Sequence, residues 1–141
     1  MVGLDVGERR IGVAISDATR TLARPLTVLQ IAQLDAGAVA RAAEEIRRLA
    51  AEEDGVSAIV VGLPSRLDGR PTGLTAGVQS FASQLGARTG LPVALQDERL
   101  TSVEAESRLA EHDKDWRSRK KRLDAAAAAI ILQDHLDGLP R

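Results

Sequence analysis

The opening stretch constrains the fold more than any other part of the chain. Residues 2–7, Val-Gly-Leu-Asp-Val-Gly, put Val2, Leu4 and Val6 on one face and Gly3, Asp5 and Gly7 on the other. Residues 11–17 repeat the period, with Ile11, Val13 and Ile15 against Gly12, Ala14 and Ser16. The short link Glu8-Arg9-Arg10 suits a hairpin. Period-two alternation cannot place its apolar residues on one side of a helix, so the chain begins as paired strands with one apolar face.

Asp5 interrupts this pattern chemically. A lone carboxylate among valines and leucines is costly or becomes protonated unless something compensates it. Its face is otherwise small (Gly3, Gly7, Gly12 and Ala14), which leaves room for a ligand above it. The competing explanation is a carboxylate satisfied by the Arg9-Arg10 turn or by backbone amides.

Residues 21–31 predict a third strand, at a sheet edge because Pro25 cannot complete an interior ladder. Residues 35–54 predict a helix, with Val39, Ala42, Ile46, Leu49 and Ala50 at spacings of three and four. The apolar run 57–63 reads as a buried parallel strand, and 64–71 as a loop. A second helix follows, capped by Thr72 or Thr75 and ended by Gly90. Residues 92–96 form a short strand, Thr101-Ser102-Val103-Glu104 opens a third helix as a capping box, and 112–122 are polar. An alanine-rich helix runs from about Leu123 to His135. The order β-β-β-α-β-α-β-α-α implies an α/β fold: a five-stranded mixed sheet, three antiparallel strands then two parallel, flanked by helices.

With 141 residues the chain fits one domain, residues 1–141. It contains no cysteine, which removes disulfides, zinc-thiolate sites and thiol nucleophiles. A net charge of −1 argues against a generally basic nucleic-acid coat, so any such contact must be local. Phe81 and Trp116 are the only aromatics, too few for a base-stacking platform. No stretch approaches a membrane span, and no signal-like segment precedes the first strand, so a cytoplasmic protein is expected.

Three further carboxylate positions accompany Asp5. Asp97-Glu98 leave a strand at its C-terminal end, where open α/β sheets place ligands. Asp124 precedes the alanine-rich helix; it could be a simple N-cap, yet Ala128 and Ile131 continue its line along the packed face. Asp17 ends the second strand, with a turn role as the plain alternative. His112 and His135 are isolated, so any metal site would be all-oxygen and suited to Mg²⁺ or Mn²⁺. Such ions act mostly on phosphates.

The segment Asp5-Val6-Gly7-Glu8-Arg9-Arg10-Ile11-Gly12-Val13-Ala14, followed by Ser16-Asp17, resembles the opening of the YqgF/RuvX family. Three later blocks agree: Val60-Val61-Gly62-Leu63-Pro64 with Asp68-Gly69; Asp97-Glu98-Arg99-Leu100-Thr101-Ser102-Val103-Glu104-Ala105; and Lys120-Lys121 with Asp124 and Ala127 through Gln133. These bacterial proteins have a ribonuclease H-like fold and are described as nucleases of precursor 16S rRNA and as Holliday junction resolvase-like enzymes. The resemblance implies that Asp5, Glu98 and Asp124 hold one or two Mg²⁺ or Mn²⁺ ions and drive phosphodiester hydrolysis. It selects Glu98 over Asp97. Ser65-Arg66-Leu67 and Gln96 depart from the family pattern without removing a metal ligand.

Residues 114–122, Lys-Asp-Trp-Arg-Ser-Arg-Lys-Lys-Arg, lead directly into Asp124. Arg117, Arg119, Lys120, Lys121 and Arg122 are therefore candidate phosphate contacts, with a solvated charge run as the alternative. Arg9 and Arg10 beside Asp5, and Arg66 and Arg70 in the 64–71 loop, are further candidates. Trp116 suits an anchor against the fold better than a base wedge. The expected activity is that of a metal-dependent, structure-selective endonuclease acting on precursor rRNA or branched DNA. A resolvase would need a homodimer to cut two strands symmetrically; an RNA-processing enzyme would not. A non-catalytic nucleic-acid-binding module with the same fold is the alternative, and an actin-like ATPase is disfavoured by length.

Overall fold

The computed structural model describes residues 1–52, 55–64, 72–97 and 116–140, with residues 116–124 described as helical backbone only. Five strands make one sheet in the order β3-β2-β1-β4-β5. They are β1 (Val2–Val6), β2 (Arg10–Ser16), β3 (Ala23–Gln30), β4 (Ile59–Leu63) and β5 (Val93–Asp97). β1, β2 and β3 form an antiparallel meander, and β1–β4 and β4–β5 pair in parallel. The expected mixed sheet is present. Pro25 lies on the outermost strand beside a register shift at Val13/Ala14, a device that also blunts an edge against further pairing.

Two layers of helix cover the sheet. α1 (Ala36–Glu52) and α2 (Thr75–Thr89) pack on one face. The core there joins Val2, Leu4, Val6, Ile11, Val13 and Ile15 to Val39, Ile46, Val78, Phe81 and Leu85. The alternation of the first two strands thus faces the way its apolar set requires. The α3 helix (Trp116–Asp137) covers the other face, where Ala14 and Val60 meet Ala128, Ile131, Leu132 and Leu136.

The ends of the elements follow local chemistry. Asp35 caps α1, its carboxylate accepting from the Ala38 N–H at 3.2 Å. Gly90 ends α2 in the left-handed region at φ 73°, its N–H donating to the Gly86 carbonyl. Ala50, assigned by spacing to the apolar stripe of α1, is exposed, and Ala43 is buried instead. Neither Thr72 nor Thr75 caps α2. Leu74 holds that position without a side-chain bond, and the buried Thr75 hydroxyl donates to the Pro64 carbonyl at 2.7 Å.

The largest departure from the sequence reading is the start of α3. The helix begins at Trp116 rather than near Leu123, so the charged stretch up to Arg122 is helical. Arg and Lys are good helix formers, so a charged run without an apolar period can still be helical. The helix expected to open at Thr101, and the loop 65–71, lie outside the described residues.

Candidate active site

Asp5 sits on the α3 side of β1, directly paired with Gly12 of β2 and partly buried. The hairpin beside it is tight: the Gly7 N–H donates to the Arg10 carbonyl at 2.9 Å, leaving only Glu8 and Arg9 as the turn. Alternation along β2 places Arg10 on the face of Gly12 and Ala14, which is the face of Asp5. The Arg9 guanidinium is directed elsewhere, donating to the Ala32 carbonyl at 2.8 Å. Of the two turn arginines, Arg10 shares the carboxylate's face.

The open space expected above this face is only partly present. A Cβ added at Gly3 would lie 2.7 Å from the Leu132 Cβ and 3.0 Å from the Ala128 carbonyl oxygen. Gly3 is therefore glycine because α3 rests on it, and at this position the face of Asp5 is filled by the helix.

The course of α3 fixes what lies above Asp5. Gln133, near its C-terminal end, accepts from the Ala23 N–H at 2.9 Å and donates to the Thr21 carbonyl at 2.9 Å. Ala23 pairs with Ser16, whose N–H reaches the Met1 carbonyl. The C-terminal part of α3 thus lies over the start of β1, and its N-terminal part over the end. Position 124 is one turn before Ala128, about 6 Å along the helix, and Asp5 is two residues past Gly3, about 7 Å along the strand. Since Ala128 rests on Gly3, position 124 comes level with Asp5.

β5 contributes by register. Val60 pairs with Ala94 and Gly62 with Gln96. Val60 packs beneath α3, so Ala94 and Gln96 lie on the Asp5 side of the sheet. Asp97 pairs with Leu63 and lies on the α1/α2 side. Of the Asp97-Glu98 pair, Asp97 thus lies on the face opposite Asp5. Glu98 follows it immediately and lies outside the described residues, as do Arg66 and Arg70. The side chains of Asp124, Arg117, Arg119, Lys120, Lys121 and Arg122 are likewise outside them. Among the described residues no group of three His, Asp or Glu side chains converges.

Asp17 is a correction. It lies at the opposite end of the sheet and organises the β2–β3 turn. Its carboxylate accepts from the Thr19 hydroxyl at 2.7 Å and from the Thr21 and Leu22 N–H groups at 2.8 and 3.1 Å. These bonds hold its pKa below the ordinary 3.8. The turn explanation holds, and Asp17 leaves the candidate carboxylate set. The Thr19 and Thr21 spacing after Asp17 was the overlooked signal of an Asx-type turn. No described helix is long and apolar enough to cross a membrane.

The family model described as "RuvX: Holliday junction resolvase" matches residues 1–138. A protein of Chloroflexus aggregans named "Putative pre-16S rRNA nuclease" is 46% identical over 137 residues, covering 97% of this chain and 92% of its own. One of the same name from an Anaeromyxobacter species is 43% identical, covering 97% and 96%. Among solved structures, Thermus thermophilus RuvC in complex with a Holliday junction substrate has a TM-score of 0.53 at 18% identity, covering 96% of this chain and 93% of its own. The fowlpox virus Holliday junction resolvase has a TM-score of 0.51 at 14% identity, covering 98% of each chain. These two likenesses place the sheet and its helices in the ribonuclease H-like fold. The family pattern and relatives at 43–46% identity both match along nearly the whole chain, which makes this chain a member of the RuvX family.

Proposed function

We propose that the protein is a metal-dependent, structure-selective endonuclease that hydrolyses phosphodiesters with Asp5, Glu98 and Asp124. What supports this reading is the contact of Ala128 and Leu132 on α3 with Gly3 on β1, from which ideal helix and strand rises put position 124 about level with Asp5. Glu98 is included on the family resemblance alone; its neighbour Gln96 shares the face of Asp5.

The donor set fits a hard divalent ion. All three residues offer carboxylate oxygen, and Asp5 is partly buried, where a cation offsets the desolvation of its charge. One or two Mg²⁺ or Mn²⁺ ions, when bound, supply charge stabilisation at phosphate oxygens and a lower pKa for water. The chain's own residues then have three tasks. The carboxylates hold the ions, Arg10 adds positive charge on the same face, and Arg117, Arg119, Lys120, Lys121 and Arg122 hold backbone phosphates along the first turns of α3. Arg9, Arg66 and Arg70 are outlying phosphate contacts.

The names of the relatives favour precursor 16S rRNA as substrate, and a cytoplasmic location belongs to the same proposal. The family description favours a four-way DNA junction, which would require a homodimer. Cleavage of both substrates side by side, with Mg²⁺ and with Mn²⁺, separates these. Asp5→Asn, checked for an unchanged circular dichroism spectrum, should abolish cleavage of whichever substrate is cut. Retained cleavage would remove Asp5 from the chemistry.

A further inference from the structure

The end of the sheet remote from Asp5 carries a cleft of about 440 Å³. Ser16, Asp17, Arg20, Arg24, Gly55 and Ser57 line it. Ser16 lies four residues beyond Gly12, the partner of Asp5, so the cleft is about 14 Å from the candidate active site along the strands. Nothing in the proposed reaction uses it.

Its most informative residue is Arg20. Arg20 has φ 57°, and it is the sole non-glycine residue in the left-handed region among those described. A turn position of this kind takes glycine or asparagine at least cost, because a Cβ crowds the following carbonyl. The fold nevertheless carries a long cationic side chain there. The turn around it is over-determined. Asp17 closes it with its carboxylate, the Asp17 N–H bonds the Leu22 carbonyl at 3.0 Å, and Gln133 of α3 grips Thr21 and Ala23 on either side. A strained residue held this firmly points to a use for its side chain.

Arg24, on edge strand β3, brings a second guanidinium to the same cleft. Each guanidinium has five N–H donors, so a partner inside the protein does not exhaust it. The rest of the lining mixes Ser16, Gly55 and Ser57 with the apolar Met1, Ile15, Ala18 and Val56. Asp17 is the one described carboxylate there, and its oxygens are turned into the loop by the three donors named above. Glu53 and Asp54 precede Gly55 in the sequence, so recognition would depend on guanidinium hydrogen bonds rather than on a far-reaching positive field.

We propose that Arg20 and Arg24 form a second anion site, which takes a phosphate group. Paired guanidinium forks match phosphate oxygens bidentately. The phosphate belongs either to a nucleic-acid backbone or to a free phosphate compound.

Two titrations without divalent ions test this, so that the carboxylate site takes no part. One measures inorganic phosphate by calorimetry, the other a fluorescent RNA duplex by anisotropy across a salt series. The variants are Arg20→Gly, Arg24→Gln and the pair together, with Asp5→Asn as a control that should bind phosphate as the parent does. Arg20→Gly relieves the left-handed strain, so its melting temperature should hold or rise while binding falls. The paired variant should lose tenfold or more in phosphate affinity. If the phosphate is a backbone one, the salt slope for RNA should also fall by about one. A loss for phosphate alone supports the site and assigns it to a free phosphate compound. Unchanged affinity for both probes in the paired variant, with the fold intact, overturns the proposal and leaves the nuclease reading untouched.

Discussion

The Cβ of Leu132 stands over Gly3 so closely that a methyl group there would lie 2.7 Å from it. The other near atom is the Ala128 backbone oxygen at 3.0 Å, which cannot swing away. Gly3→Ala therefore has to push α3 off the sheet. Overpacking of this kind costs about 1–3 kcal/mol. The variant should melt at lower temperature than the parent. It should also lose cleavage at temperatures where it is still folded, because α3 carries position 124. Normal activity in a folded Gly3→Ala protein would mean that the spacing of β1 and α3 does not set the site.

Gln133 holds the β2–β3 turn to α3 with two backbone bonds, to the Ala23 N–H and the Thr21 carbonyl. It also donates to Asp137 at 2.9 Å. Gln133→Leu keeps the bulk and leaves the partly buried Ala23 N–H unsatisfied, while water can reach the exposed Thr21 carbonyl. The expected loss is about 1–3 kcal/mol in urea unfolding. Gln133→Glu should be worse than its shape suggests, since a carboxylate cannot donate to the Thr21 carbonyl. Equal stability of Gln133→Leu and the parent would show that the clamp contributes nothing.

Asp17 and Asp35 both have depressed pKa values, from hydrogen bonds to the Thr21 N–H and the Thr19 hydroxyl in one case, and to the Gln33 amide and the Ala38 N–H in the other. A carboxyl more acidic in the folded than in the unfolded chain stabilises the fold above its unfolded value, near 3.8. That contribution fades as pH falls from there through the folded value. The parent should thus lose melting temperature on acidification below about pH 4. In Asp17→Asn/Asp35→Asn this part of the loss is absent, so the drop between pH 5 and pH 3 should be smaller. A parallel drop would assign acid sensitivity to other carboxylates.

Much of the fold was legible because its signals are local. The alternation around Asp5, Pro25 on the outer strand and Gly90 at the end of α2 each follow from one or two residues. The start of α3 was not, because Arg117 through Arg122 carry no apolar period, and charge alone does not distinguish a solvated loop from a helical turn. The role of Gly3 was misread for a related reason. Small residues beside a carboxylate signal space, and only the packing of α3 shows that Leu132 occupies part of it. For Asp97 the register gives what sequence could not, since it pairs with Leu63 and lies on the α1/α2 side of the sheet.

The helical start of α3 makes its charges a graded series rather than a loose cluster. Arg119, Lys120 and Lys121 lie within two turns of position 124, so phosphates bound there are within reach of the carboxylates. Replacing the three with Gln preserves helix propensity, since Gln ranks with Lys and Arg. Each phosphate interaction removed should lower the slope of log affinity against log salt by roughly 0.7–0.9. The triple variant should bind nucleic acid more weakly at low salt and approach the parent at high salt. On the proposed reading its rate at saturating substrate should change little, because these residues would hold the strand without touching the reacting phosphate. A salt slope equal to the parent's would remove this segment from the interface. A collapsed saturating rate with normal affinity would move one of these residues into the chemistry.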